Sequence, residues 1–301
     1  MERKFIYIVN PVSGTKDKNP LIDLIRSRTK QAGFEFEIYP SVASGDYSFI
    51  YPVIEEKKIT DIVIAGGDGT INQVINDLRK FDVSFGIIPS GSGNGLAFSA
   101  GLKKDPLYSL ETIFKGNAKW TDAFTVNGRF ACMLCGLGFD AQVAHDFAKD
   151  HRRGLFTYIK KTISNFFTAP VYPFVIDTGE RQFATESFFI SIANSNQFGN
   201  HFTIAPEASL TDGLLDIVVI GKQNKLSMLY CAAKQVCGFN QLQKVDMIDE
   251  KSLLMYFQSD KIQIQNLHKA PMHIDGDPVE TAESIDIILL RNCFRLIFPG
   301  A

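Results

Sequence analysis

The chain is poor in the residues and runs that mark several whole classes of protein. Only five cysteines and one tryptophan occur in 301 residues. The cysteine count is odd and no paired spacing suggests a disulfide framework, so a reducing compartment is the expected setting. Cys132 and Cys135 form a C-x-x-C, but no second pair exists to complete a zinc site. They fall in the strand-like run Arg129 to Cys135, where side chains three apart face opposite sides, and both read as core cysteines. No stretch approaches the roughly 20 apolar residues of a membrane-spanning helix. The apolar run Phe5 to Val9 is too short for a secretory leader and reads as a first buried strand. Lys and Arg number 31 against 33 Asp and Glu, a net charge of -2, which provides no global basic field for nucleic acid. Any anion site must be local.

With 45% hydrophobic and 21% charged residues the composition is that of a globular protein, and the length suits about two domains. The first 120 or so residues alternate strand and helix signals. Lys4 to Val9, Phe34 to Ile38, Asp61 to Ala65 and Ser84 to Ile88 read as strands, the last two being short continuous apolar runs suited to a sheet covered on both faces. Asn19-Pro20 opens a helix that Gly33 stops, and Thr70 to Lys80 reads as another. This order predicts an open, mostly parallel α/β domain whose functional loops lie at the carboxyl ends of its strands. Beyond it come hairpin signals, at Asn127-Gly128, Thr178-Gly179 and Asp275-Gly276, and runs of β-branched and aromatic residues. Helical insertions are expected near Ala141 to Phe167 and Lys225 to Phe239. The expected architecture is an α/β domain over 1–121, an antiparallel β-sandwich-like domain over 122–283, and a segment 284–301 that returns to the first domain.

Glycine-bearing loops follow the three best strands of the first half: Asn10-Pro11-Val12-Ser13-Gly14, Gly66-Gly67-Asp68-Gly69-Thr70, and Pro89-Ser90-Gly91-Ser92-Gly93-Asn94-Gly95. Without a Cβ in the way, backbone N–H groups can converge on an anion, and a helix opening at Thr70 adds its positive end. Phosphate binding is the natural use. Asp68 inside such a loop would repel phosphate unless a divalent cation stands between them; the alternative is an aspartate that merely caps a helix. No G-x-x-x-x-G-K-[ST] loop, no protein-kinase signature and no G-x-G-x-x-G after the first strand is present, which disfavours the ordinary P-loop and dinucleotide folds.

The ordered set Asn10-Pro11-x-Ser13-Gly14, Gly66-Gly67-Asp68-Gly69-Thr70-Ile71-Asn72 and Pro89-x-Gly91-Ser92-Gly93-Asn94 resembles the diacylglycerol kinase catalytic-domain family of lipid kinases, which includes bacterial soluble diacylglycerol kinases and the sphingosine and ceramide kinases. The similarity continues through Gly136-Leu137-Gly138-Phe139-Asp140, Pro206-x-Ala208-x-x-x-Asp212-Gly213-Leu214-Leu215-Asp216 and Asp275-Gly276-Asp277, so it covers nearly the whole chain in order. The diglycine-aspartate loop alone is shared with NAD kinases and phosphofructokinases.

The resemblance implies an ATP-dependent phosphotransferase acting on a lipid hydroxyl, with ATP and Mg²⁺ as cofactors. It implies that Asn10, Pro11, Val12, Ser13, Gly14, Ser41, Gly66, Gly67, Asp68, Gly69, Thr70, Ile71, Asn72 and Ser92 surround ATP, with Asp277 reaching toward the nucleotide or its metal. Ser41 and Ser92 stand where relatives usually have threonine, and Asp277 where glutamate is usual. Ser209, Asp212 and Leu214 match a structural magnesium site. The proton acceptor is left between Asp275 and Asp68. The Pro-x-Gly-Ser-Gly-Asn form resembles the sphingosine and ceramide kinase branch, so diacylglycerol and sphingoid or ceramide acceptors both stand. The resemblance further implies a cytoplasmic protein working at the inner membrane face, with peripheral contact, no nucleic-acid partner and room for a homodimer. Lys149, Arg152, Arg153, Lys160 and Lys161, interleaved with Leu155, Phe156, Tyr158, Ile159, Phe166 and Phe167, suit such a surface or a solvated helix face over core aromatics. An NAD kinase-like enzyme and a catalytically silent nucleotide-binding lipid sensor are the competing readings.

Overall fold

Strand β1 (Lys4–Val9) is buried along nearly its whole length, as its unbroken apolar sequence demands of a strand covered on both faces. In this computed structural model, which describes residues 2–14, 17–148, 169–196, 205, 207–222 and 254–300, the chain divides into two compact units. One comprises 1–122 with 291–301, the other 123–290.

In the first unit β1 lies between β2 (Glu35–Pro40) and β3 (Asp61–Gly66), and β3 pairs with β4 (Ser84–Pro89), all parallel. Helices α1 (Asn19–Gln31), α2 (Tyr51–Lys57), α3 (Asp68–Leu78), α4 (Gly95–Ser99) and α5 (Pro106–Lys115) connect and cover them. Pro20 stands at the start of α1, where its missing N–H costs nothing. Ile25 of α1 packs in one core with Phe5, Tyr7, Val63 and Ile113, and the buried Tyr7 hydroxyl pairs with Thr29 at 2.8 Å. The edge near the N-terminus is held by Arg3, which forks onto Asp61 at 2.6 and 3.0 Å and also donates to the carbonyls of Ile113 and Phe114.

The chain leaves this unit along β5 (Ala118–Val126) and comes back along β15 (Ser284–Ile297). The second unit is antiparallel and sandwich-like. It contains β6 (Arg129–Ala131), β7 (Leu134–Gly138), α6 (Phe139–Ala148), β8 (Tyr172–Asp177), β9 (Gln182–Ala193), β10 (Leu215–Gly221), β11 (Leu254–Ser259), β12 (Lys261–Gln265), β13 (Met272–Ile274) and β14 (Asp277–Val279). The early half of β9 pairs with β8, while its late half runs between β7 and β10. Asn127-Gly128 and Asp275-Gly276 both carry positive φ at each central residue, the type I′ geometry that matches the twist of a hairpin.

Two expectations need correction. The run from Phe130 to Cys135 is not one strand: it breaks at Cys132 and Met133, because Asp275 draws their N–H groups away while Asn194 and Ser195 take their carbonyls. The helix expected at Thr70 to Lys80 begins two residues earlier, at Asp68, with Gly67 as its extended N-cap. Of the helical insertion expected near Ala141 to Phe167, the part up to Ala148 lies in α6; the rest of it, with the basic and aromatic residues placed there, and the insertion expected at Lys225 to Phe239 lie outside the described residues.

Candidate active site

The three glycine loops come together because β1, β3 and β4 are parallel and adjacent, so their carboxyl ends open on one side. Asn10 closes the first loop on itself, accepting the Val12 N–H at 2.9 Å, and ties it to α3 by donating from Nδ2 to the Thr70 hydroxyl at 2.7 Å. Ser13 donates to the Asn10 carbonyl at 3.2 Å. Gly14, at φ +67°, lies so close to the third loop that a methyl group there would stand 2.8 Å from the Ser90 carbonyl. The second and third loops touch backbone to backbone: a methyl on Gly91 would fall 2.5 Å from the Gly67 Cα. Glycine is thus required by contact, whatever the φ. Ser41 follows β2 at the same side, its N–H on the Val9 carbonyl at 2.9 Å, and Val12 and Ser92 are exposed.

Asp68 is the first residue of α3 rather than its cap. Gly93 makes room for its carboxylate, since a methyl there would stand 2.9 Å from Asp68 Oδ2. A carboxylate at a helix N-terminus is itself favourable. Gly66 and Gly67 precede it and Gly69 and Thr70 follow it in the loop, and Ile71 faces the core. Asn72 follows, half-buried on the same helix.

Two features of this cradle were not read from the sequence. The buried Asn94, at φ +60°, accepts from the Gly91 N–H at 2.8 Å and donates to the Gly91 carbonyl at 3.0 Å, which locks the third loop into a ring. Lys104 donates to the same carbonyl at 2.7 Å, and the Lys18 ammonium lies 3.8 Å from where a Gly14 Cβ would be. Burial, then the charge of Lys104, pushes the Lys18 ammonium down from the ordinary lysine value. The two cations therefore act on each other beside loops suited to phosphate. Neither carries a motif; only the helix start at Lys18 and the approach of Lys104 to the loop in three dimensions reveal them.

In the second unit Asp275 is buried at φ +49°. Its Oδ1 accepts from the N–H groups of Met133 and Leu134, each at 2.9 Å, and its Oδ2 from the Cys132 N–H at 2.9 Å and the Cys132 thiol at 3.5 Å. A carboxylate has about four lone-pair sites, and four donors meet them here. The next residues continue the order: Gly276 N–H donates to His273 Nδ1 at 3.3 Å, which leaves Nε2 to face Asp140 at 3.3 Å. Gly136 must lack a side chain, because a methyl there would stand 2.1 Å from Asp140 Oδ2. Asp277 is exposed at the start of β14.

Ser209, Asp212 and Leu214 lie together in the turn leading into β10. Asp212 is exposed and its Oδ1 accepts the Leu214 N–H at 3.1 Å across Gly213, which has φ +75°. Asp216, two residues on, is fully buried, with Oδ1 held by the Tyr256 hydroxyl and by Gln258 at 3.2 Å. Burial raises its carboxyl to about 6, with the like charges of Asp212 and Glu207 adding to the effect. The donors available in this turn are all oxygens, the set a hard cation prefers.

A family model described as the diacylglycerol kinase catalytic domain matches residues 4–126, and one described as the YegS C-terminal NAD kinase beta sandwich-like domain matches residues 134–286. The chain belongs to the diacylglycerol kinase family. It is accordingly an ATP-dependent lipid kinase, a phosphotransferase with an alcohol acceptor. The diacylglycerol kinase of Bacillus subtilis (strain 168) is 24% identical over 275 residues, covering 90% of this chain and 88% of the relative. That of Staphylococcus carnosus (strain TM300) is 22% identical over 281 residues, covering 92% and 89%. The crystal structure of a diacylglycerol kinase from Bacillus anthracis str. Sterne shares the fold, with a TM-score of 0.73 at 18% identity over 99% of this chain and 97% of that one. Both halves of the family pattern are thus matched, the glycine loops inside the first model and the aspartates Asp140, Asp212 and Asp275 inside the second.

Proposed function

We propose that this kinase transfers the γ-phosphoryl group of magnesium ATP to the hydroxyl of diacylglycerol. The observation that carries the nucleotide end is the Gly67–Gly91 contact, which presses two loops together at the start of α3 and leaves backbone N–H groups, rather than side chains, to meet phosphate. Asn10, Ser13, Ser41 and Ser92 supply polar side chains at the same strand ends. Lys18 and Lys104 balance phosphate charge that Asp68 alone would repel. The diacylglycerol acceptor is supported by the names of the relatives.

Phosphoryl transfer asks mainly for positioning and charge neutralisation. The lipid oxygen forms a bond to the γ-phosphorus as the bond from phosphorus to the β–γ bridging oxygen breaks; ADP leaves with that electron pair, and the hydroxyl proton passes to a carboxylate. Asp275 would have to give up hydrogen bonds to accept it, so its geometry supports a fixed, loop-holding charge, with Asp68 beside the phosphate cradle as proton acceptor. Magnesium, when bound, neutralises the phosphate oxygens. The oxygen donors of Ser209, Asp212 and Leu214 suit a second divalent cation of structural kind. Asp277, exposed beside Asp275, is the remaining carboxylate offered toward nucleotide or metal. A lipid acceptor implies work at a membrane surface, which the basic and aromatic residues of 149–167 suit in sequence.

The test is incubation of the purified chain with γ-labelled ATP, Mg²⁺ and mixed micelles carrying diacylglycerol, sphingosine or ceramide, with NAD in a parallel tube. Label should enter diacylglycerol, and Asp68→Asn should lower kcat by about 10²–10⁴, the usual worth of a general base. Label in NAD alone, or in no lipid, would refute the assignment.

A further inference from the structure

Asp216 is a carboxylate with one half satisfied and the other half not. It sits at the start of β10, opposite Ala193 of β9 and Gln258 of β11, with no exposed surface. Oδ1 accepts from Tyr256 and Gln258, whereas Oδ2 is buried with no hydrogen-bond donor among the described residues. A buried charged oxygen without a partner is among the costliest arrangements a fold can keep, and it persists where something else fills the gap. Its surroundings make a cation the fitting occupant. The carboxylates of Asp212 and Glu207 are near enough to act on Asp216 with the same sign, and the Tyr256 hydroxyl that donates to Oδ1 itself accepts from the Glu207 backbone N–H. Asp212 of this turn and Glu207 thus lie near the buried Asp216 carboxylate as a whole.

We infer that Asp216 Oδ2 is a ligand for a divalent cation of the magnesium or calcium class, which it shares with the exposed Asp212. The inference rests on the reading of Ser209, Asp212 and Leu214 as a cation turn and deepens it: the buried carboxylate supplies the second negative charge, and Tyr256 and Gln258 hold that carboxylate in one orientation through its other oxygen. The cation would then fasten the turn to strands β9, β10 and β11, so its loading reads out as stability of the second unit and needs no nucleotide.

The experiment uses the full chain, stripped with a chelator and kept free of nucleotide. Titration of Mg²⁺ or Ca²⁺ should raise the melting temperature of the wild type, and Asp216→Asn should weaken the apparent affinity at least tenfold. An unchanged cation response in Asp216→Asn, with the response lost in Asp212→Asn, would overturn this inference and leave the turn as a site. A wild type indifferent to both cations would overturn the turn and the inference together. Should Asp216→Asn fail to fold, terbium decides the question on variants that keep the carboxylate. Tb³⁺ displaceable by Ca²⁺ should emit on tyrosine excitation in the wild type, and Tyr256→Phe should lose most of that emission per bound Tb³⁺. Equal emission from Tyr256→Phe and wild type would place the ion elsewhere and overturn the inference.

Discussion

Replacing Asp275 by asparagine is the natural probe of a suspected general base, and in this fold it should act on stability before chemistry. The amide oxygen can retain the Met133 and Leu134 N–H groups, but the amide nitrogen then faces the Cys132 N–H, donor against donor, at what is now a 2.9 Å contact. A hydrogen bond to a charged group contributes about 1.5–3 kcal/mol, and a buried donor left without an acceptor costs a similar amount. One lost bond, one stranded N–H and two weakened bonds give about 3 kcal/mol. For a unit of this size about 1 kcal/mol moves the melting temperature by about 2–4 °C, so the shift is about 6–12 °C. Asp275→Ala strands all three N–H groups and should cost about 4–5 kcal/mol. The assay is calorimetry or fluorescence melting of the three proteins, with lipid phosphorylation measured well below the lowest transition. An asparagine variant that melts with the wild type yet has lost turnover would refute the reasoning and return Asp275 to the role of proton acceptor.

Gly91→Ala places a methyl group 2.5 Å from the Gly67 Cα, where only backbone can yield; the KM for ATP should rise at least tenfold with little change in that for lipid, as steady-state kinetics in both substrates will show. Lys104→Met removes one of the two side-chain donors to the Gly91 carbonyl and one of the two cations beside the glycine loops. Affinity for ATP should fall about tenfold by calorimetric titration, affinity for adenosine should hardly change, and an equal loss for both ligands would contradict a phosphate role. Arg3→Met leaves the Asp61 carboxylate, 4% exposed, without its forked partner. The expected cost is about 3 kcal/mol in denaturant unfolding, partly recovered by adding Asp61→Asn; a cost below about 1 kcal/mol would contradict it.

The parallel strands were readable because a strand covered on both faces must be largely apolar along its length, as β1, β3 and β4 are beyond their first residues Lys4, Asp61 and Ser84. The glycine loops were readable because each demands a residue without a Cβ, and the I′ turns because asparagine or aspartate followed by glycine tolerates two positive φ angles in succession. What stayed hidden is set by long-range contact. Asp275 reads as half of a hairpin turn, and nothing local shows that its carboxylate gathers N–H groups more than 140 positions away. The same contact breaks the Phe130 to Cys135 run, which alternation alone reads as one strand. Asp216 closes a motif that looks like a solvated turn, yet it is buried because β10 runs between two partners. Lys104 is an ordinary surface lysine until the Gly91 carbonyl is placed beneath it.

Strand β15 belongs to both units, pairing with β12 through Ser284 to Ile288 and with β4 through Arg295 and Leu296. The Phe298 N–H then reaches the Asn117 carbonyl, and Asn292 N–H the Asp122 carboxylate. On the ribosome, the half of the protein made first is therefore finished last. Until residues 291–301 emerge, β4 is a bare apolar edge on the nascent chain, a surface for chaperones or for misassembly. A short C-terminal truncation would injure the first unit, although its three glycine loops lie nearly two hundred residues or more earlier in the chain.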